Sequence, residues 1–154
     1  MDRRADRRVK WALMGHVSHS LRFSLRADAE GSLDEMRLLV EPALGCVFTP
    51  DTVQHDRFFF KAELLGMRIL LGEWQGLAGR RTFQLHGAAL AIPNAPTDIE
   101  YDDLDINLAI IELLAARGAG QWRVPSHAEI QAEVAYAAAR VAAAEADAPD
   151  DRDP

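Results

Sequence analysis

Strict alternation between apolar and polar side chains marks the first ordered stretch, residues 17–26. A period of two is typical of a half-buried strand. Residues 58–64 also alternate, except that Phe59 stands on the polar side, and Leu65-Gly66 separates them from an apolar segment at 67–74. This arrangement predicts a β-hairpin with a tight turn. Residues 81–87 supply a further strand, so the pattern predicts an antiparallel sheet of about four strands.

Helical patterns lie on either side of these strands. Ser32 and Glu35 form a capping box ahead of an apolar helical face, and Gly45 closes that segment. Asp102 and Asp103 precede a strongly apolar stretch at 104–114, which predicts a helix that begins at these aspartates. A second capping box, of Ser126 with Glu129, opens an alanine-rich helix that runs to about residue 146.

The fold class that follows is α+β, with an antiparallel sheet of about four strands packed by two to three helices and a C-terminal alanine-rich helix. We expect one domain over residues 13–146, because no composition shift or repeat divides it. Residues 1–12 are predicted to be a flexible basic leader. Residues 147–154, acidic and rich in proline, are predicted to be a disordered tail.

The helix predicted at 127–146 carries a narrow stripe of small apolar residues, at alternating spacings of four and three. Such a stripe fits a neighbouring helix, either in the body of the protein or in a second copy. Self-association as a structural or assembly subunit is therefore one functional hypothesis. The stripe consists of Ile130, Val134, Ala137, Val141 and Ala144.

Composition and charge narrow the classes of function. The formal net charge is −7, and residues 98–118 alone carry −5. An acidic chain lacks the electrostatic footprint for binding nucleic acid or an anionic membrane. The polar start, the single cysteine and the short apolar runs predict a cytoplasmic protein. Fifteen arginines against two lysines, with abundant alanine, indicate a GC-rich bacterial genome.

The densest charge feature is a run of five carboxylates in eight residues, which admits three interpretations. The aspartates can stabilise a helix N-terminus, form a docking surface for a basic partner, or bind a hard cation. No EF-hand pattern accompanies them, so we expect no metal and no cofactor. The five are Asp98, Glu100, Asp102, Asp103 and Asp105.

Two tryptophans are candidate interface anchors. Trp74 ends a predicted strand beside a glycine-containing loop, and Trp122 follows Gly120. Partial exposure of either ring suits a partner contact, whereas core filling is the commoner role of tryptophan. A small enzyme with a site assembled from His55, His86 and Asp56 is an alternative, although the chain carries no recognised catalytic motif.

Two stretches carry a resemblance to known proteins. They resemble segments of small uncharacterised bacterial proteins of the immunity-protein type, which neutralise partner toxins. The first stretch is residues 60–71 together with Trp74, and the second is residues 113–126. The resemblance implies binding and occlusion of a protein partner. The leading hypothesis is thus a non-enzymatic, immunity-like protein that binds a basic partner. Its predicted binding residues are Asp102, Asp103, Asp105, Trp74 and Trp122.

Overall fold

One six-stranded sheet organises the part of the chain that the computed structural model describes, residues 17–53, 57–90 and 100–147. The predicted leader, and the tail beyond residue 147, lie outside these ranges. The strands are β1 (Val17–Asp28), β2 (Thr49–Val53), β3 (Arg57–Leu64), β4 (Met67–Gln75), β5 (Arg81–Ala89) and β6 (Glu100–Asp105). Their order in the sheet is β2-β3-β4-β5-β1-β6. The helices are α1 (Leu33–Leu44), α2 (Asn107–Ala116) and α3 (His127–Ala146).

The α+β class is confirmed, but the sheet is larger than predicted and is mixed. Strand β1 pairs with β5 in antiparallel fashion over residues 23–28, and with β6 in parallel over residues 17–22. Its two halves therefore serve different neighbours on opposite sides. The remaining pairings, β2 with β3, β3 with β4 and β4 with β5, are antiparallel.

The core lies between one face of the sheet and helices α1 and α2. Alternate residues of β1 point into it, so that Leu25 is fully buried beside Leu85 of β5. Val40 of α1 and Leu114 of α2 are also fully buried and belong to the same cluster. Burial of this apolar surface supplies the main driving force for folding.

The helix caps and the hairpin turn predicted from the sequence are confirmed. Both capping boxes form, on Ser32 with Glu35 and on Ser126 with Glu129. Leu65 and Gly66 have φ values of 52° and 73°, as a type I′ hairpin turn requires. The helix at 127–146 runs as predicted.

The predicted start of the second helix is wrong. Asp102 and Asp103 lie in β6, and α2 begins only at Asn107. Residues 100–105 pair in the sheet because β1 offers a free edge along its first half, and backbone pairing there outweighs the local preference for a helix start.

Candidate functional site

Four of the five clustered carboxylates lie in the edge strand β6, and Asp98 lies outside the described residues. Asp103 of β6 accepts a hydrogen bond from Ser20 Oγ, and its Oδ2 is 3.4 Å from Nη1 of Arg22. Both side chains of this ion pair are about half exposed, at 58% for Arg22 and 49% for Asp103. Asp102 stands opposite His19 in the strand register. Asp103 is thus an accessible carboxylate that one arginine neutralises only in part.

Asp105 has a structural task at the junction of β6 and α2. Its Oδ1 accepts the backbone N–H of Asn107 at 2.8 Å, and its Oδ2 accepts Nδ2 of the same residue at 3.0 Å. Asn107 Oδ1 in turn accepts the backbone N–H of Ser24 at 2.8 Å. Asp105 therefore orients the residue that links α2 to β1, while still contributing negative charge.

The two edges of the sheet differ in what they offer a partner. Within the described ranges β6 pairs only with β1, so its other side presents backbone N–H and C=O groups. At the opposite edge, β2 contains Pro50, a residue that natural edges use to discourage pairing. Of the two, β6 is the edge better able to accept another strand.

Trp74 lines a cleft at the far end of the sheet. The cleft has a volume of about 400 Å³, and the Trp74 side chain is half-buried in its wall. Arg140 sits over the Tyr136 ring at 5.9 Å from the centroid. The aromatic lining is typical of a contact surface for a ligand or a protein side chain. The other lining residues are Leu33, Phe58, Phe59, Glu73 and Gln75.

Glu73 at the rim of this cleft is held by an arginine. Its two carboxylate oxygens accept hydrogen bonds from Arg81 Nε and Nη2, at 2.6 and 2.9 Å. These hydrogen bonds lower the pKa of Glu73 below its usual value. The carboxylate is therefore ionised at neutral pH and already paired.

The structure does not bring Trp74 and the acidic strand together. Trp74 is in register with Thr82 of β5, and Thr82 is in register with Asp28 at the end of β1. Asp103 is instead in register with Ser20, near the start of β1. Eight residues along the strand and three strand spacings separate the two sites by roughly 30 Å. They cannot form one compact contact.

Of the two roles considered for Trp122, partial exposure and core filling, the structure shows the second. Its relative exposure is 5%, and its indole N–H donates to the Ala119 carbonyl at 2.8 Å. The neighbouring Arg123 pairs with Arg26 through two backbone hydrogen bonds, which draw this segment against β1. Trp122 is therefore part of the core, and only the edge of its ring borders a surface hollow beside Met36 and Gly120.

His86 is the one member of the predicted enzyme site that lies within the described residues; His55 and Asp56 lie outside them. His86 faces Ser24 across the sheet, beside a hollow of about 210 Å³ that Arg22 and Asp105 also line. Burial, with the charge of Arg26 in addition, lowers the pKa of His86. The ring is therefore neutral at pH 7 and can offer a nitrogen acceptor.

A buried ion pair is the feature that sequence reasoning missed. Arg26 Nε and Nη2 donate to the Glu133 carboxylate at 2.6 and 2.8 Å, and both residues are buried. Arg26 stands in the polar register of the β1 alternation, opposite the core face. The sequence carries one signal for this pair, because Glu133 is a charged residue beside the apolar stripe of the alanine-rich helix. No local pattern connects Glu133 with Arg26.

Comparison with protein-family models, with curated proteins and with solved structures finds no match to this chain. Among the helices described, none has both the length and the apolar character needed to cross a membrane. No three His, Cys, Asp or Glu side chains within residues 17–53, 57–90 and 100–147 are grouped as a metal site would require.

Proposed function

We propose that this chain is a non-enzymatic protein-binding module, an immunity-like inhibitor that docks a basic partner on the edge strand β6. The observation that carries the proposal is the position of the acidic residues of β6, along the sheet edge whose outer side stays unpaired within the described residues. Four of the six residues of β6 are acidic, namely Glu100, Asp102, Asp103 and Asp105.

An open edge binds an extended segment by adding it as a further strand, with main-chain hydrogen bonds providing affinity. Acidic side chains on that edge select the partner. They repel the same edge of a second copy and attract a strand that carries lysine or arginine. The charge thus serves both as protection against self-pairing and as the basis of specificity.

Arg22 does not block such a partner. Its ion pair with Asp103 is long and exposed, and pairs of this kind contribute only about 0–1 kcal/mol. An incoming cation can replace it at little cost. Trp74 then belongs to a separate surface, because the cleft lies at the other end of the sheet.

The test is binding of two synthetic strand-forming peptides, one alternating valine with lysine and one alternating valine with glutamate. We expect the lysine peptide alone to shift the backbone amide resonances of β6 in NMR titrations, with affinity that falls as salt is added. Replacing Asp102 and Asp103 by asparagine should weaken binding about three- to tenfold, since each exposed charge pair contributes up to about 1 kcal/mol.

The matched control is Asp34→Asn, which removes an exposed carboxylate of α1 away from the edge. Asp105 is left intact because it positions Asn107. The same variants then serve as baits for capture of the natural partner from the host. Equal capture by the wild type and by the Asp102/Asp103 variant, or peptide-induced shifts outside β6, would contradict the proposal.

A further inference from the structure

A small hollow on the α3 side of the sheet lies beside His86 and is separate from the Trp74 cleft. Its volume is about 210 Å³. Arg22 and Ser24 of β1 line it together with His86 of β5 and, where β6 meets α2, Asp105. Alternate residues of a strand share a face, so the side chains of Arg22 and Ser24 lie on the same side of β1, with His86 opposite Ser24. The hollow therefore brings together a guanidinium, a hydroxyl, an imidazole and a carboxylate.

The acceptor atoms around this hollow are already engaged by donors of the chain itself. Asp105 accepts the backbone N–H and the side-chain Nδ2 of Asn107, one on each carboxylate oxygen, at 2.8 and 3.0 Å. Ser24 Oγ accepts a hydrogen bond from Arg26 Nη1 at 3.0 Å. A molecule in the hollow is therefore not required to supply further donors.

The donors around the hollow are engaged much less. A guanidinium carries several N–H groups, whereas within residues 17–53, 57–90 and 100–147 the Arg22 side chain has a single polar contact, the 3.4 Å approach to Asp103. The His86 imidazole has no hydrogen-bond partner in the same ranges. No fully buried side-chain nitrogen there lacks a partner, so the unpaired His86 nitrogens are accessible from solvent. The hollow thus has spare donors and occupied acceptors.

We propose that this hollow binds a small oxyanion, either a carboxylate or a phosphate group, between Arg22 and His86. A ligand for spare donors must bring acceptors, and the guanidinium fork matches two oxygens of a carboxylate or a phosphate. The neutral imidazole adds one N–H donor. Arg26 contributes positive potential, since its charge is, after burial, the second cause that lowers the pKa of His86.

The size and charge of the hollow set the class and the affinity of the ligand. Pockets for drug-sized molecules span about 300–1,000 Å³, so this hollow admits only a small group. The charge of Asp105 on its wall opposes an anion, and so does the formal net charge of −7. We therefore expect a dissociation constant of about 1 mM. The oxyanion requires no backbone group of β6, so the site is independent of the proposed docking of a basic strand.

Inorganic phosphate and malonate are the probes, each titrated from about 0.1 to 30 mM into the full chain at about pH 7.5. Sodium chloride keeps the ionic strength constant, so that screening does not change. We expect saturable NMR shifts of the His86 ring and of the backbone amides of residues 22–24 and 86–88. The exposed His127 ring should not shift. Saturation by phosphate alone, by malonate alone or by both supports the site and identifies the group that it takes.

Arg22→Gln should weaken binding of either probe about tenfold, because it removes the charged donors of the site. The matched control is Arg80→Gln. Arg80 is also an exposed arginine with a long carboxylate contact, 4.0 Å to Asp28, and it lies outside the hollow. Loss of its charge should leave binding unchanged.

Ala88→Glu places a carboxylate on the exposed wall of the hollow. It should abolish binding up to about 30 mM probe, because the new charge occupies Arg22. Ala89→Glu adds the same charge at the next exposed residue, which points to the other side of β5, and should leave binding unchanged. Dispersed amide spectra establish that the variants are folded. Shifts that rise without saturation, or equal effects within either matched pair, would overturn the proposal.

Discussion

The two faces of the sheet are covered by different kinds of contact. On one face, α1 and α2 pack through fully buried apolar side chains such as Val40 and Leu114. On the other face, α3 is held by the buried pair of Arg26 with Glu133 and by the half-buried pair of Arg123 with Glu129. The same sheet is therefore stabilised by non-directional burial on one side and by directional ion pairs on the other.

The difference teaches how each face responds to change. Apolar contact tolerates small shifts, since its free energy follows the area removed from water. A buried ion pair depends on both partners, because loss of either one leaves a charge without water or counter-ion. We therefore expect the α3 face to fail abruptly and the α1–α2 face to weaken gradually.

The largest effect is expected for Glu133→Ala. It leaves Arg26 buried and unpaired, which should lower the free energy of unfolding by about 3–5 kcal/mol. Urea unfolding followed by circular dichroism measures the loss, and hydrogen exchange should show that the amides of α3 lose protection first. An effect below about 1 kcal/mol would show that α3 does not depend on this pair.

The matched control replaces both charges, as Arg26→Met with Glu133→Leu. This double variant should recover most of the stability, because a packed apolar pair often equals a buried ion pair. Leu114→Ala gives the comparison on the other face, with a loss of about 2–5 kcal/mol that salt does not alter. If the double variant is as unstable as Glu133→Ala, the penalty comes from packing rather than from the unpaired charge.

An intermediate effect is expected at the helix caps. Ser126→Ala removes the hydroxyl that accepts the Glu129 N–H and should cost about 1 kcal/mol. The identical box on α1 supplies the control, Ser32→Ala. The Ser126 variant should release α3 locally, seen by hydrogen exchange, while the Ser32 variant should lower the global urea midpoint. Indistinguishable exchange patterns would contradict the asymmetry of the two faces.

The smallest effect is a pH dependence from His86, on the α3 side of the sheet. Its pKa in the folded state is lowered, chiefly by burial and also by Arg26, so the unfolded chain takes up the proton first. Stability is full above the ordinary pKa of 6.5 and falls as the pH decreases below it toward the lower pKa of the folded state. His86→Gln should flatten this slope, measured by urea midpoints between about pH 7.5 and 5.

Elements with a local signal could be predicted from the sequence. Strand β1 alternates, β3 and β4 are joined by a two-residue turn, and α1 and α3 begin at capping boxes. Strand β6 has no such signal, since acidic residues are poor strand formers. It becomes a strand only through pairing with β1, as between Ser20 and Asp103, which are 83 residues apart.

For the candidate site, the sequence indicated which residues to consider but not where the fold places them. The acidic run was identified, but its place on a sheet edge follows from the parallel pairing with β1. The roles of the two tryptophans depend on their neighbours: Trp74 borders a cleft closed by α3, and Trp122 is drawn inward beside β1. The side of α3 that faces the protein could not be predicted either, because partners such as Arg26 decide it.

The pairing of Arg26 with Glu133 spans 107 residues, which orders the assembly of the protein in time. During synthesis Arg26 leaves the ribosome early, whereas its counter-ion Glu133 follows only with the first turns of α3. Until then the face of the sheet that α3 covers is exposed to solvent. A chain that stops before residue 133 leaves this face uncovered. Proteases cleave open conformations, so we expect them to degrade such fragments faster than chains that contain α3.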